Sequence, residues 1–134
     1  MKTRNKAGFT LVELMVVAII VAILAAVAIP LMTANKKRAM FTEAEAGCGH
    51  VRTAQRVYQA EHGTFKDHNG TLAAGNMPGI GASDLDGKYF KTINYTMRAD
   101  STNYEIRCTG STGDVAGLWV ELDEEGVFTR SSGL

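Results

Sequence analysis

The sequence predicts an α+β fold: one long N-terminal α-helix, its apolar half protruding, packed on a small antiparallel β-meander of three or four strands. Three observations predict it. Residues 8 to 32 form an apolar run, GFTLVELMVVAIIVAILAAVAIPLM, with no charged residue between Leu14 and Met32. A helix of about 20 apolar residues crosses the roughly 30 Å hydrocarbon core of a bilayer. From Thr33 to about His62 apolar residues recur at three- and four-residue steps, the helical period. After residue 88 the period becomes two, as in strands with one buried face.

Composition narrows the function classes. Of 134 residues, the apolar run takes about 25 and leaves roughly 100, enough for one small domain. The formal net charge is zero, and no basic stripe exists outside two short clusters flanking the run, so no nucleic-acid partner is expected. Cys48 and Cys108 lie 60 positions apart, without the close spacing of zinc ligands, which leaves a disulfide or two unpaired core thiols. His50, His62 and His68 are not arranged as a ligand set, and the acids at Asp84, Asp86 and Asp123 to Glu125 lack EF-hand spacing. No cofactor or metal is expected. With no serine elbow, metal motif or phosphate loop, the chain is not expected to be an enzyme.

Residues 1 to 7, MKTRNKA, carry Lys2, Arg4 and Lys6 and read as the charged opening of a targeting segment. Ordinary secretory cleavage after Ala26-Val27-Ala28 would discard the apolar run and leave Glu13 without a purpose. A carboxylate inside a membrane segment costs about 2.5 to 3.5 kcal/mol, so Glu13 needs a partner.

Lys6-Ala7-Gly8-Phe9-Thr10-Leu11-Val12-Glu13-Leu14, followed by the apolar run and Pro30, resembles the class III signal of type IV pilins and type II secretion pseudopilins. The close resemblance covers about residues 1 to 40; beyond them only the pilin-fold architecture is similar. It implies removal of a leader, residues 1–8, by a prepilin peptidase cutting between Gly8 and Phe9, and N-methylation of the new terminus at Phe9. Residues 9–32 become a transmembrane and then filament-core helix, and residues 33–134 a periplasmic globular domain. The resemblance also supplies the partner of Glu13, the Phe9 amine of a neighbouring subunit in a helical homopolymer fed by an inner-membrane assembly platform. By charge alone orientation is a draw, Lys36, Lys37 and Arg38 matching Lys2, Arg4 and Lys6. The resemblance places the leader in the cytoplasm, so the subunit sits in the bacterial inner membrane before assembly and in a periplasmic or extracellular filament afterwards. Losing the leader takes 3 of the 14 basic residues, leaving 11 against 14 acids and a charge of −3. Pro30 lacks an N–H and crowds the carbonyl of Ala26, so the helix should bend or loosen there. Pilin-like helices melt in this part, although many carry a glycine where this chain has Ala22.

In the second half of the helix, Phe41, Ala44, Cys48, Val51, Ala54 and Tyr58 form a core stripe. Gly47 and Gly49 each cost about 1 kcal/mol relative to alanine and mark a flexible point or a close backbone approach. Gly63 stops the helix. Residues 63–88 hold six of the 14 glycines and Pro78, which predicts a long loop with one short helical turn near Ala82 to Leu85; the resemblance makes it the variable αβ-loop. The meander, within residues 89–134, takes Ile93 to Met97, Tyr104 to Cys108 and Leu118 to Leu122, with Val127 to Thr129 as a fourth strand. Tyr104, Ile106 and Cys108 share the helix-facing side, so Cys108 is either bonded to Cys48 or reduced beside it.

Two functions compete. One is a structural subunit of a type IV pilus-like or secretion pseudopilus filament. The other is a bitopic, membrane-anchored periplasmic binding domain that does not polymerise. The tail GVFTRSSGL does not resemble the acidic calcium-binding loop that major secretion pseudopilins usually carry, which favours the pilus.

Overall fold

The structure, a computed structural model, describes residues 8–73 and 75–134. The expected leader residues Lys2, Arg4 and Lys6 lie outside the described residues. The chain divides into two compact units at the Asn35 to Lys36 step, and one helix, α1 (Leu11–His62, 52 residues), contributes to both.

In the first unit the aliphatic side chains from Leu11 to Met32 are exposed on every side of the helix, which is long and apolar enough to cross a membrane. The α-helix runs on through Pro30, although Pro30 itself has no N–H to donate to the Ala26 carbonyl. One turn later the Thr33 hydroxyl donates to the Ile29 carbonyl at 3.1 Å.

The second unit, Lys36–Leu134, is built on the rest of α1, whose buried residues are Met40, Phe41, Ala44, Cys48, Val51, Ala54 and Gln55. The expected stripe is present except that Tyr58 is only half-buried. Gly63 ends the helix with a φ of 79°, its N–H donating to the Gln59 carbonyl at 2.8 Å, a left-handed cap that glycine adopts without Cβ strain.

Against this stripe lies a five-stranded sheet rather than one of three or four. Its strands are β1 (His68–Thr71), β2 (Tyr95–Ala99), β3 (Tyr104–Thr109), β4 (Trp119–Asp123) and β5 (Phe128–Arg130). Each pairs antiparallel with its neighbour in sequence order. The additional strand, β1, falls in the segment expected to be loop. Its sequence, His-Asn-Gly-Thr, has no apolar alternation, because an edge strand joins a sheet through backbone hydrogen bonds alone. β2 begins two residues later than expected because Thr92–Asn94 form a 3-10 turn. Asn94 is buried there, its Oδ1 accepting from the Lys91 N–H at 2.8 Å and its Nδ2 donating to the Thr109 carbonyl at 2.9 Å. Residues 82–85 make a turn and not a helix, with Asp84 Oδ2 accepting from the Gly81 N–H at 2.7 Å.

The core is the inner sheet face, with Tyr95, Met97, Tyr104, Ile106, Cys108, Val120 and Leu122, against the α1 stripe. Two polar side chains of α1 tie the intervening loop to it. Gln55, fully buried, donates from Nε2 to the Lys66 carbonyl at 3.0 Å and accepts the Lys66 N–H on Oε1 at 2.8 Å. Glu43 accepts three consecutive amides, those of Tyr89 and Phe90 at 2.8 Å on Oε1 and that of Lys88 at 3.0 Å on Oε2. Partial burial by itself would raise the Glu43 pKa, but the amides of Phe90, Tyr89 and Lys88 together outweigh it and hold the carboxyl below its ordinary value.

The helix glycines separate into different roles. A Cβ on Gly47 would land on the hydroxyl and ring of Tyr95, whereas one on Gly49 would meet nothing within 4 Å among the described residues. Gly47→Ala should therefore cost about 1–3 kcal/mol through overpacking, and Gly49→Ala should gain up to about 1 kcal/mol of helix propensity. Thermal unfolding of the two variants of the full chain in detergent should move in opposite directions. Because the folded Glu43 pKa is depressed, its contribution is complete above the unfolded value of about 4.3 and is lost as pH falls through the folded value. A melting series across that acid window should show a steeper loss for the parent chain than for Glu43→Gln.

Candidate functional site

The sequence concentrates its unusual chemistry at the start of α1. Thr10 is the N-cap. Its Oγ1 accepts the Glu13 N–H at 3.2 Å, and its own N–H donates to Glu13 Oε2 at 3.4 Å. This reciprocal pair is a capping box, which satisfies two of the amides that a helix start leaves without partners. A carboxylate in the first turn also sits favourably in the positive end of the helix dipole. Glu13 thus has a partner within its own chain, and Thr10 is a site residue not singled out from the sequence. Its signal was present: Thr10-Leu11-Val12-Glu13 is the Ser/Thr-x-x-Glu signature ahead of an apolar run.

Gly8 and Phe9 precede the helix without regular structure. Phe9 is 79% exposed, and among the described residues nothing lies within 4 Å of the position a Gly8 side chain would take. The Gly8–Phe9 peptide bond is therefore accessible and free of helical hydrogen bonding, which suits hydrolysis. Cutting it would create an amine at Phe9, one residue from the Thr10 N–H to which the Glu13 carboxylate already turns. Pro30, the expected soft point, lies inside the helix two residues before the end of the apolar run.

Cys48 and Cys108 are both fully buried, and both are free thiols in this structure. Cys108 stands opposite Tyr95 in the β2–β3 register. Burial pushes the Cys108 thiol up to about 12. Burial, with Cys108 close by, raises that of Cys48 as well. Neither sulfur is a thiolate at neutral pH, so neither is poised as a nucleophile. Among the described residues no group of three or more His, Cys, Asp or Glu side chains could hold a metal ion.

A family model described as the prokaryotic N-terminal methylation motif matches residues 3–29. The chain is 34% identical over 134 residues to the type IV major pilin protein PilE1 of Neisseria gonorrhoeae, covering 95% of this chain and 75% of that protein. It is 31% identical over 134 residues to a fimbrial protein of Neisseria meningitidis serogroup A, covering 95% and 72% respectively. With the type IV wide pilus major component PilA4 of Thermus thermophilus it shares 41% identity over 69 residues, 52% of this chain and 53% of that one. The two Neisseria matches extend well past the apolar run, into the sheet.

The buried thiols should resist alkylation in the folded chain at neutral pH. Unfolded without reductant, the protein should take up two alkyl groups, as intact-mass spectrometry can read. No uptake until reductant is added would instead mean a Cys48–Cys108 bond.

Proposed function

Since the chain belongs to the type IV pilin family, we propose that it is processed at Gly8–Phe9, anchored by its N-terminal helix in the bacterial inner membrane, and polymerised into a pilus. A prepilin peptidase removes residues 1–8 and the new terminus is N-methylated at Phe9. Residues 33–134 then face the periplasm. Subunits pass from the bilayer through an inner-membrane assembly platform into a filament of identical copies, whose core is residues 9–32. The protein acts as a structural subunit and not as an enzyme.

The observation that carries this reading is the capped, accessible helix start. A carboxylate in the apolar run lies four residues from the amine that processing creates at Phe9. Taking two opposite charges out of water together costs desolvation, but stranding one of them costs more. In the single subunit Glu13 is satisfied by Thr10. In the filament it exchanges that weak local bond for the Phe9 amine of a neighbour, which sets the axial register. A subunit displaced along the axis would leave both charges without partners in an apolar core. Pro30 supplies a place where the helix can loosen as copies pack. The pilus is favoured over a secretion pseudopilus because the relatives named above are pilus and fimbrial proteins, and the residues after Val127 carry no acid.

N-terminal sequencing of the membrane-extracted protein should begin at methylated Phe9, whereas an intact Met1 would support the non-polymerising anchor. Removing one partner of a buried ion pair costs about 3–5 kcal/mol, so Glu13→Ala and Glu13→Lys should lower the yield of sheared filaments by at least tenfold while leaving processing intact. Normal yield and register in both variants would refute the assembly role of Glu13.

A further inference from the structure

The triplet Asn-x-Thr occurs twice in the chain, as Asn69-Gly70-Thr71 and as Asn94-Tyr95-Thr96. It is the acceptor pattern for N-linked glycans: the amide nitrogen takes the sugar, and the hydroxyl two residues on completes the recognition element. The structure separates the two copies. Asn94 is 8% exposed. Its Nδ2 donates to the Thr109 carbonyl at 2.9 Å and to the Ser111 hydroxyl at 3.1 Å, while its Oδ1 accepts the Lys91 N–H. Both amide hydrogens are engaged, and the Thr96 hydroxyl donates to the Arg107 carbonyl at 3.4 Å. That copy holds the fold together and is closed to an enzyme.

Asn69 is placed differently. It lies in β1, where Asn69 and Thr71 are exposed and His68 and Gly70 half-buried. Alternate side chains of a strand share a face, so the amide and the hydroxyl stand side by side, about 7 Å apart along the strand. Asp67, just ahead of β1, continues the exposed pattern. β1 has a neighbouring strand, β2, on one side only, which leaves its other side open to an enzyme that binds the segment in extended form. Gly70 puts no side chain between the amide and the hydroxyl, and its φ of 132° is a conformation that glycine takes without strain. The strand register carries Asn69 across the outer sheet face to Arg98, then Glu105, then Asp123. These four residues share the lining of an open depression of about 470 Å³. It gives the first sugars of a glycan room, and its guanidinium and carboxylates suit sugar hydroxyls, which both accept and donate hydrogen bonds.

We propose that Asn69 is an N-glycosylation site. The inference rests on the reading above that residues 33–134 face the periplasm, since N-linked glycans belong to exported chains. The donor is a glycan activated as a polyprenyl pyrophosphate. Asn69 Nδ2 forms a bond to the anomeric carbon of the glycan, and the bond from that carbon to the pyrophosphate oxygen breaks. Polyprenyl pyrophosphate leaves with the electron pair, and Nδ2 gives up one proton to a base of the transferring enzyme. Nothing is oxidised or reduced. The resulting N-glycoside stands on the edge strand, where it hinders the strand-to-strand pairing with a second chain that a free edge invites.

The test is intact-mass spectrometry of the full chain extracted from the cells that make it, with electron-transfer fragmentation of its peptides. The chain should be heavier than its amino acids by one or more sugars, carried on Asn69 and not on Asn94. Asn69→Gln and Thr71→Ala should each lose the whole surplus, whereas Thr71→Ser, which restores the hydroxyl, should keep it. A surplus that survives Asn69→Gln belongs to another residue and would overturn the site, as would conversion of Asn69 to aspartate with no sugar attached. Protease added to spheroplasts separates the two readings. A domain that is digested but carries no sugar would overturn the site and leave the periplasmic placement intact. A domain that is protected would overturn both.

Discussion

One continuous helix must satisfy two environments, and the rest of the structure follows from that constraint. Up to Met32 α1 is apolar on all sides; from Lys36 onward it is apolar along a single stripe. A helix buried on every side needs no polar face, whereas one packed on a sheet from one side needs a solvated back. The change of pattern coincides with the boundary between the two compact units. It lets the same element serve as a lipid-facing or helix-facing rod and as the wall of a small core.

That core is thin, so its contacts are specific. The sheet meets α1 mainly through Phe41, Ala44, Cys48 and Val51, two of them small, and Tyr95 lies against the bare backbone of Gly47. The long connection between α1 and β2 contributes only a few buried apolar residues, among them Leu72, Met77, Leu85 and Phe90. Its buried backbone groups still require partners. Gln55 meets both polar groups of Lys66, and Glu43 meets three successive amides ahead of β2. The helix therefore holds both ends of the loop that carries much of the exposed surface, and a change in the loop's tip need not disturb the core.

At the other end of α1 the same economy appears in Glu13. Its carboxylate caps the helix through Thr10, so the charge has a hydrogen-bond partner before any second subunit is present. In the proposed transfer from a bilayer to a filament core, such a local partner would keep the acid from being stranded on the way. The exposed Gly8–Phe9 bond and the capping box occupy adjoining residues, so the processing and pairing proposed above would act on one short stretch.

The sequence by itself determined whatever is periodic or punctuated. The apolar run, the stripe from Phe41 to Ala54, the stop at Gly63 and the antiparallel order of the later strands were all readable, because each is written into side chains at a fixed spacing. The capping box is legible too, in Thr10 and Glu13 three residues apart ahead of an apolar run. Tertiary structure decided the rest. β1 has no hydrophobic alternation, since an edge strand pairs through its backbone, so only the exposed edge of β2 reveals it. Gly47 and Gly49 look alike in the sequence and differ only because Tyr95 reaches one of them. Nothing in the local sequence marks Glu43 and Gln55 as partners of the loop that returns to meet them, and Cys48 and Cys108 could be placed in one core but not assigned a bonding state. In each case the deciding partner lies far along the chain, where local spacing carries no information about it.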